Sequence, residues 1–163
     1  MPRIRIAAAA TLALALAGCQ NALADADGPM TGTWRFTVTN FQYWAPGVPQ
    51  YACDMQTTFM VRQEGAELEG VSEEAPFTCT DPATGASSTG SKLAGVIRGE
   101  VENGRVHFSD AGGWHCFAEL HPTRMEGYME SYGALMGEPI RTVRSGTCVL
   151  EKISDLGWDG SYD

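Results

Sequence analysis

Cysteine and histidine are the residue types in this chain best suited to chemistry, and their spacing sets the first limits. Five cysteines and three histidines occur in 163 residues. Cys53, Cys79, Cys116 and Cys148 are spread through the body of the chain, and Cys19 stands near its start. No Cys-x-x-Cys pair and no Cys/His zinc spacing is present, so no metal site is expected. An even set of four reads instead as two disulfides formed in an oxidising compartment. His107, His115 and His121 all fall on the outward face of their strands by alternation, where solvated surface is the expectation. His115 and His121 share one strand at a separation of about 20 Å, too far for a single metal ion. No serine sits in a nucleophile elbow, no cysteine is left over as a free nucleophile, and the carboxylates are dispersed along outer faces. No catalytic residue, metal or cofactor is expected, and the chain reads as a non-enzyme.

The N-terminus carries an address. Arg3 and Arg5 precede the apolar run Ile6 to Ala17, too short to span a bilayer as a mature helix but suited to a signal sequence. The run ends in Leu16-Ala17-Gly18-Cys19, which resembles a bacterial lipobox and would make Cys19 an acylated N-terminus. Cleavage after Ala22-Leu23-Ala24 is the alternative, and it would release a secreted protein. Either route exports the chain; the first anchors it by lipid in the cell envelope, at the outer membrane or in the periplasm. The expected division is a signal peptide at 1–18, a tether at 19–30, a barrel domain at 31–153 and an acidic tail at 154–163, pinned by Trp158. Removing Arg3 and Arg5 from the 11 bases leaves 9 against 20 acids, a net charge of −11. Such a surface repels nucleic acid and anionic headgroups, so membrane contact is expected through the lipid alone.

What must position the cysteines is a set of strands. Asn103-Gly104 suits a two-residue type I′ turn, where both central residues need positive φ. The register then pairs Glu102 with Arg105, Val101 with Val106, Glu100 with His107 and Gly99 with Phe108. Ile97, Val101, Val106 and Phe108 face one side, and Arg98, Glu100, Arg105 and His107 the other. The same alternation places Trp34, Phe36 and Val38 inward on the first strand, and Cys53 to Val61 on the second. It recurs around Leu68 to Gly70, Trp114 to Leu120, Met125 to Met129, and Cys148 to Leu150. A two-residue turn at Glu64-Gly65 would set Phe59 opposite Gly70, and glycines 70, 99 and 127 would make room inside. Three stretches read as loops: Phe41 to Ala52, Ser72 to Lys92, and Tyr132 to Arg144. No stretch has helical periodicity. The expected fold is all-β: an eight-stranded antiparallel up-and-down meander closed into a small barrel, since closure removes the edges.

Gly32-Thr33-Trp34, the Leu68-Glu69-Gly70 step and the Gly95-Val96-Ile97-Arg98-Gly99 to Val106-His107-Phe108 hairpin resemble calycin-type barrels, the superfamily of lipocalins and avidins. The resemblance implies a barrel that holds a small apolar or amphipathic ligand. No lipocalin loop signature or biotin-contacting set is present, so the ligand itself is not implied. Tyr51-Ala52-Cys53 is similar to the start of lysozyme-inhibitor lipoproteins, whose Ser-Gly-x-x-Tyr motif is absent. A protein-binding envelope module, such as an enzyme inhibitor, is therefore the alternative.

Topology gathers the long loops at one end and ranks Cys53–Cys79 with Cys116–Cys148 first among three connectivities. In a flat sheet the strands of Cys116 and Cys148 would lie about 9.6 Å apart, and barrel curvature over Gly127 must shorten that. Tyr43, Trp44, Tyr51, Tyr132, Met136 and Arg141 lie in the long loops and are the expected ligand- or partner-binding residues. The competing reading makes the aromatics a plug of the barrel end and Arg141 an ordinary surface charge.

Overall fold

The computed structural model describes residues 28–43, 51–110, 114–131, 134–135, 138–139 and 143–161. Twelve strands are present among them, and no helix: β1 (Gly32–Tyr43), β2 (Tyr51–Glu64), β3 (Glu67–Ser72), β4 (Ala75–Thr80), β5 (Ser87–Lys92), β6 (Gly95–Glu102), β7 (Arg105–Asp110), β8 (Trp114–Glu119), β9 (Arg124–Ser131), β10 (Ala134–Leu135), β11 (Glu138–Pro139) and β12 (Val143–Ser154). The antiparallel order β1-β12-β9-β8-β7-β6-β3-β2 returns to β1 and closes an eight-stranded barrel. The expected barrel is therefore the fold.

The Asn103-Gly104 hairpin forms as its turn residues require, with φ of 51° and 75° and all four expected pairs in register. Inward alternation fills the interior. Phe36, Phe59 and Phe108 meet at its centre, with ring centroids 4.5 to 5.6 Å apart, an arrangement contributing about 0.5–1.5 kcal/mol per pair beyond area burial. Trp34, Ile97, Met125, Met129 and Leu150 complete the packing at 1% exposure or less. A void of about 10 Å³ beside the phenylalanines is the size of one water.

Five expectations are corrected. The turn after β2 is Gly65-Ala66, so Phe59 lies opposite Ser72, and Gly70 opposite Val61. Glycines 70, 99 and 127 do not open space inside: a Cβ on each would collide with the neighbouring strand's carbonyl, of Met60, His107 and Phe117 respectively. Their absent side chains let the strands approach closely and coil into a narrow barrel. Residues 72–92 are not a loop but contain the hairpin β4–β5, added to the upper part of β2 outside the barrel. Phe41 to Tyr43 and Tyr51 to Ala52 also belong to strands, and Tyr43 pairs with Tyr51. Within 132–144 lie the short β10–β11 pair and the start of β12.

One end of the barrel is sealed. Met30, at the end of the expected tether, is 1% exposed, and its carbonyl accepts a hydrogen bond from Trp34 Nε1 at 2.8 Å. Gln63, buried beside it, accepts from Met30 N through Oε1 at 3.0 Å and donates through Nε2 to Gly65 O at 2.8 Å, so this buried amide is satisfied at both ends. In the tail, Leu156 O accepts from Thr33 Oγ1 at 2.6 Å and Trp158 is 6% exposed. Surface ion pairs such as Arg35–Glu151 and Arg98–Glu69 add little stability.

Candidate functional site

At the other end the described residues form a concave apolar surface. β1 carries a bulge between Val38 and Phe41, where Asn40 takes φ of 53° and its N–H donates to Asp54 Oδ1 at 2.8 Å. The bulge resets the alternation by one residue, so Phe41 faces inward three positions after Val38 instead of two. Gly146 on β12 faces this bulge with φ of 89°, and a Cβ there would press on the backbone of Thr39 and Phe41. Bulge and glycine together turn Phe41 over the barrel mouth, against Trp114 at 5.1 Å between ring centroids.

The added hairpin supplies the opposite wall. Ala75, Phe77 and Cys79 alternate on one face of β4, and Phe77 lies over Gly90 of β5, whose Cβ would collide with its ring. Cys79 pairs in register with Cys53 of β2, and the two form a disulfide with a Cα–Cα distance of 4.0 Å. Val38, Met55 and this disulfide make the floor of a cup of about 330 Å³; Phe41, Tyr51, Phe77 and Trp114 make its walls, with Ser88 at the rim. The surface is mostly apolar, and Tyr51 and Ser88 are the lining residues that carry hydroxyls.

The base of the added hairpin is fastened by charge. Lys92, at the end of β5, meets Asp110 of β7 at 3.3 Å and donates to Ser72 Oγ at 2.8 Å, with both charged side chains nearly buried. Val38, Met55, Phe77, Ser88 and Trp114 of the cup's lining, and Lys92 at the base of its hairpin wall, are not among the expected binding residues. The signal for Phe77 was present: Ala75, Phe77 and Cys79 alternate with Pro76, Thr78 and Thr80, and a structureless stretch of about 20 residues is rare in a compact domain.

Of the expected binding residues, Tyr51 lines the cup and Tyr43 is its cross-strand neighbour on β1. Trp44, Tyr132, Met136 and Arg141 lie outside the described residues, as does Cys19. The second disulfide is Cys116–Cys148, at a Cα–Cα distance of 6.9 Å. It reaches diagonally across β9, because Cys148 stands opposite Gly127 and Cys116 opposite Met129. Both pairings follow the connectivity ranked first from topology.

The histidines lie on the outer surface as alternation requires, yet two of them are engaged. His107 Nε2 and His115 Nδ1 are 2.9 Å apart and share a hydrogen bond, with His107 Nδ1 3.8 Å from Glu100. Partial burial, then the neighbouring His107, holds His115 below the usual histidine range, while Glu130 and Asp110 oppose this. Among the described residues no three His, Cys, Asp or Glu side chains converge as a metal site. No protein-family model, curated protein or solved structure matches the chain.

Proposed function

We propose that the chain is an exported, lipid-anchored, non-enzymatic barrel of the calycin-like kind, which holds a small apolar or amphipathic ligand in the cup at the end opposite Met30. The cup carries this reading: about 330 Å³ of concave, aromatic-walled space lies at the small end of the range for small-molecule sites. The packed interior beneath confines a ligand to the mouth. An aromatic ring or short acyl segment fits against Phe41, Phe77 and Trp114, with its polar end toward Tyr51, Ser88 and solvent. Gly28 to Met30 pack on the β2–β3 turn at the opposite end. An acyl anchor on Cys19 would therefore hold the sealed end toward the membrane and turn the cup away from it.

Native mass spectrometry of the protein purified from its own host tests this. A co-purifying apolar mass is expected, and Phe77→Ala and Trp114→Ala should each weaken binding of dodecanoate at least fivefold while circular dichroism stays unchanged. A bare protein, with dodecanoate affinity equal in wild type and both variants, would defeat the ligand reading. The second reading, a protein-binding envelope module such as an enzyme inhibitor, is favoured by the void of only about 10 Å³, because a filled barrel must act through its surface.

A further inference from the structure

β5 ends the described sheet and pairs, among the described strands, with β4 alone. Its ladder with β4 is regular over six positions and carries no bulge. At the turn end of this ladder Asp81 N–H donates to Ala86 O at 2.8 Å. Hydrogen-bonded and non-bonded pairs alternate along an antiparallel ladder, so the bonded pairs are Cys79–Ser88, Phe77–Gly90 and Ala75–Lys92. Pro76, which has no N–H, accordingly falls at a non-bonded position, opposite Ser91. The N–H and C=O groups of Ser87, Thr89 and Ser91 therefore point away from β4, and all three residues are exposed.

An edge of this kind templates the addition of another strand, and proteins commonly block one with lysine, proline, a bulge or a covering segment. β5 carries no proline and no bulge, and its one lysine, Lys92, turns to Asp110 and is nearly buried. The run Ser87-Ser88-Thr89-Gly90-Ser91 is also close to a palindrome of small residues. Laid antiparallel on a second β5 with the dyad at Thr89, it sets Thr89 against the partner's Thr89, Ser87 against the partner's Ser91, and Ser88 against the partner's Gly90. Every outward-pointing residue of each copy then falls in a hydrogen-bonded pair. No like charges meet across these pairs, although both copies are acidic overall.

We propose that two copies of this chain pair through β5, joining their added hairpins into one four-stranded antiparallel sheet. The match of outward groups about Thr89 commits the edge to a second copy over an unrelated strand. Opposed residues share a face of a sheet, so both cups come to lie on the same side of the joined hairpins. Gly90 lies under the Phe77 ring, and the partner's Ser88 would stand beside that glycine, so each copy adds a hydroxyl to the other's cup rim. One six-residue strand against its copy falls short of a standard interface of roughly 1,200–2,000 Å², so the association is weak and depends on concentration. The pairing does not require the cup to hold a ligand.

Sedimentation equilibrium of the exported full chain, with amide exchange at the same concentrations, tests the proposal. Dimer is expected at about 1 mM protein, and more of it with added salt, which screens the repulsion between two acidic copies. As dimer forms, exchange should slow at the amides of Thr89 and Ser91, while those of Ser88 and Gly90, already bonded to β4, change little. Thr89→Pro removes the N–H at the dyad without touching the bonds to β4, and should weaken association about tenfold, the loss of two backbone hydrogen bonds. Thr89→Lys sets like charges opposite each other and should weaken it about threefold. Thr89→Val keeps the backbone groups and should associate as the wild type does, separating loss of the edge from loss of the hairpin. A wild type that stays monomeric under all these conditions would overturn the proposal and leave the edge to a strand of another protein. Equal association of wild type, Thr89→Lys and Thr89→Pro would overturn it as well, assigning the contact to a different surface.

Discussion

The two disulfides close similar stretches of chain, with sequence separations of 26 and 32, but they hold different kinds of structure. Cys116 and Cys148 lie in the barrel wall at 1% exposure or less, among strands paired on both sides. Cys53–Cys79 fastens a hairpin to the barrel from outside. There β4 pairs with β2 only from Ala52 to Met55, and β5 pairs with β4 alone among the described strands. The wall is stabilised redundantly, by closure, ring packing and a cross-link. Among the described residues the hairpin is held to the barrel by four paired positions of β4, one disulfide, the Lys92–Asp110 ion pair with its Ser72 hydrogen bond, and the burial of Ala75. Redundancy marks the part that maintains the fold, while the sparsely fastened part walls the cup.

Removing each bond should expose that difference. The chain-entropy model assigns about 3.5 kcal/mol to either loop, since their lengths are close. Cys116→Ala with Cys148→Ala should lose at least that in a guanidinium titration, as one global transition, because the space the sulfurs fill in the core is lost as well. Cys53→Ala with Cys79→Ala should instead act locally. Amide exchange should lose protection in β4 and β5 first, with β7 to β9 nearly unchanged. Uniform loss of protection across both regions would erase the distinction between wall and hairpin.

A smaller effect sharpens the same comparison. Lys92 links β5 to β7 through Asp110, with side-chain exposures of 11% and 12%. Lys92→Met keeps the aliphatic length but takes one partner from a nearly buried carboxylate, which should cost about 1.5–3 kcal/mol. Its distinguishing result is positional: in thermal melts of Lys92→Met followed at Phe77, the hairpin should loosen below the global transition. Coincident melting of hairpin and wall would show that the ion pair does not act on the hairpin separately.

The barrel wall was legible in the sequence because one face is wet and the other packed, so period-two alternation and an Asn-Gly turn suffice to place its strands. Connectivity of the cysteines followed from the same topology. The cup was less legible, for two physical reasons. Its strand β5, Ser-Ser-Thr-Gly-Ser-Lys, has no buried face of its own and looks like loop composition. Its wall at Phe41 depends on a bulge, and simple alternation carried past Val38 puts Asn40 inward and Phe41 outward. A glycine's small size suggests room for a ring, but what the inner glycines provide is close backbone approach. Alternation placed His107 and His115 on the outer face but could not show that they meet, because that contact is diagonal across two strands.

That contact sets the smallest effect, confined to the wall. His115 is held below its ordinary pKa of about 6.5, first by partial burial and then by His107, despite the opposing charges of Glu130 and Asp110. In the unfolded chain the same imidazole titrates near its ordinary value. As pH falls through that value, the unfolded state takes up a proton while the folded state still resists it. The unfolded state then binds more protons, so stability must fall with falling pH in this window. Full protonation of both rings would also set N–H against N–H where the 2.9 Å hydrogen bond now lies. His115→Gln should therefore flatten the stability–pH curve between neutrality and mild acidity, measured by denaturant titration at several pH values. Because β4 and β5 lie outside this pair, hairpin exchange rates should show no matching change. A His115→Gln curve as steep as the wild type's would assign the acid sensitivity to carboxylates elsewhere and remove the histidine pair from the account of the wall.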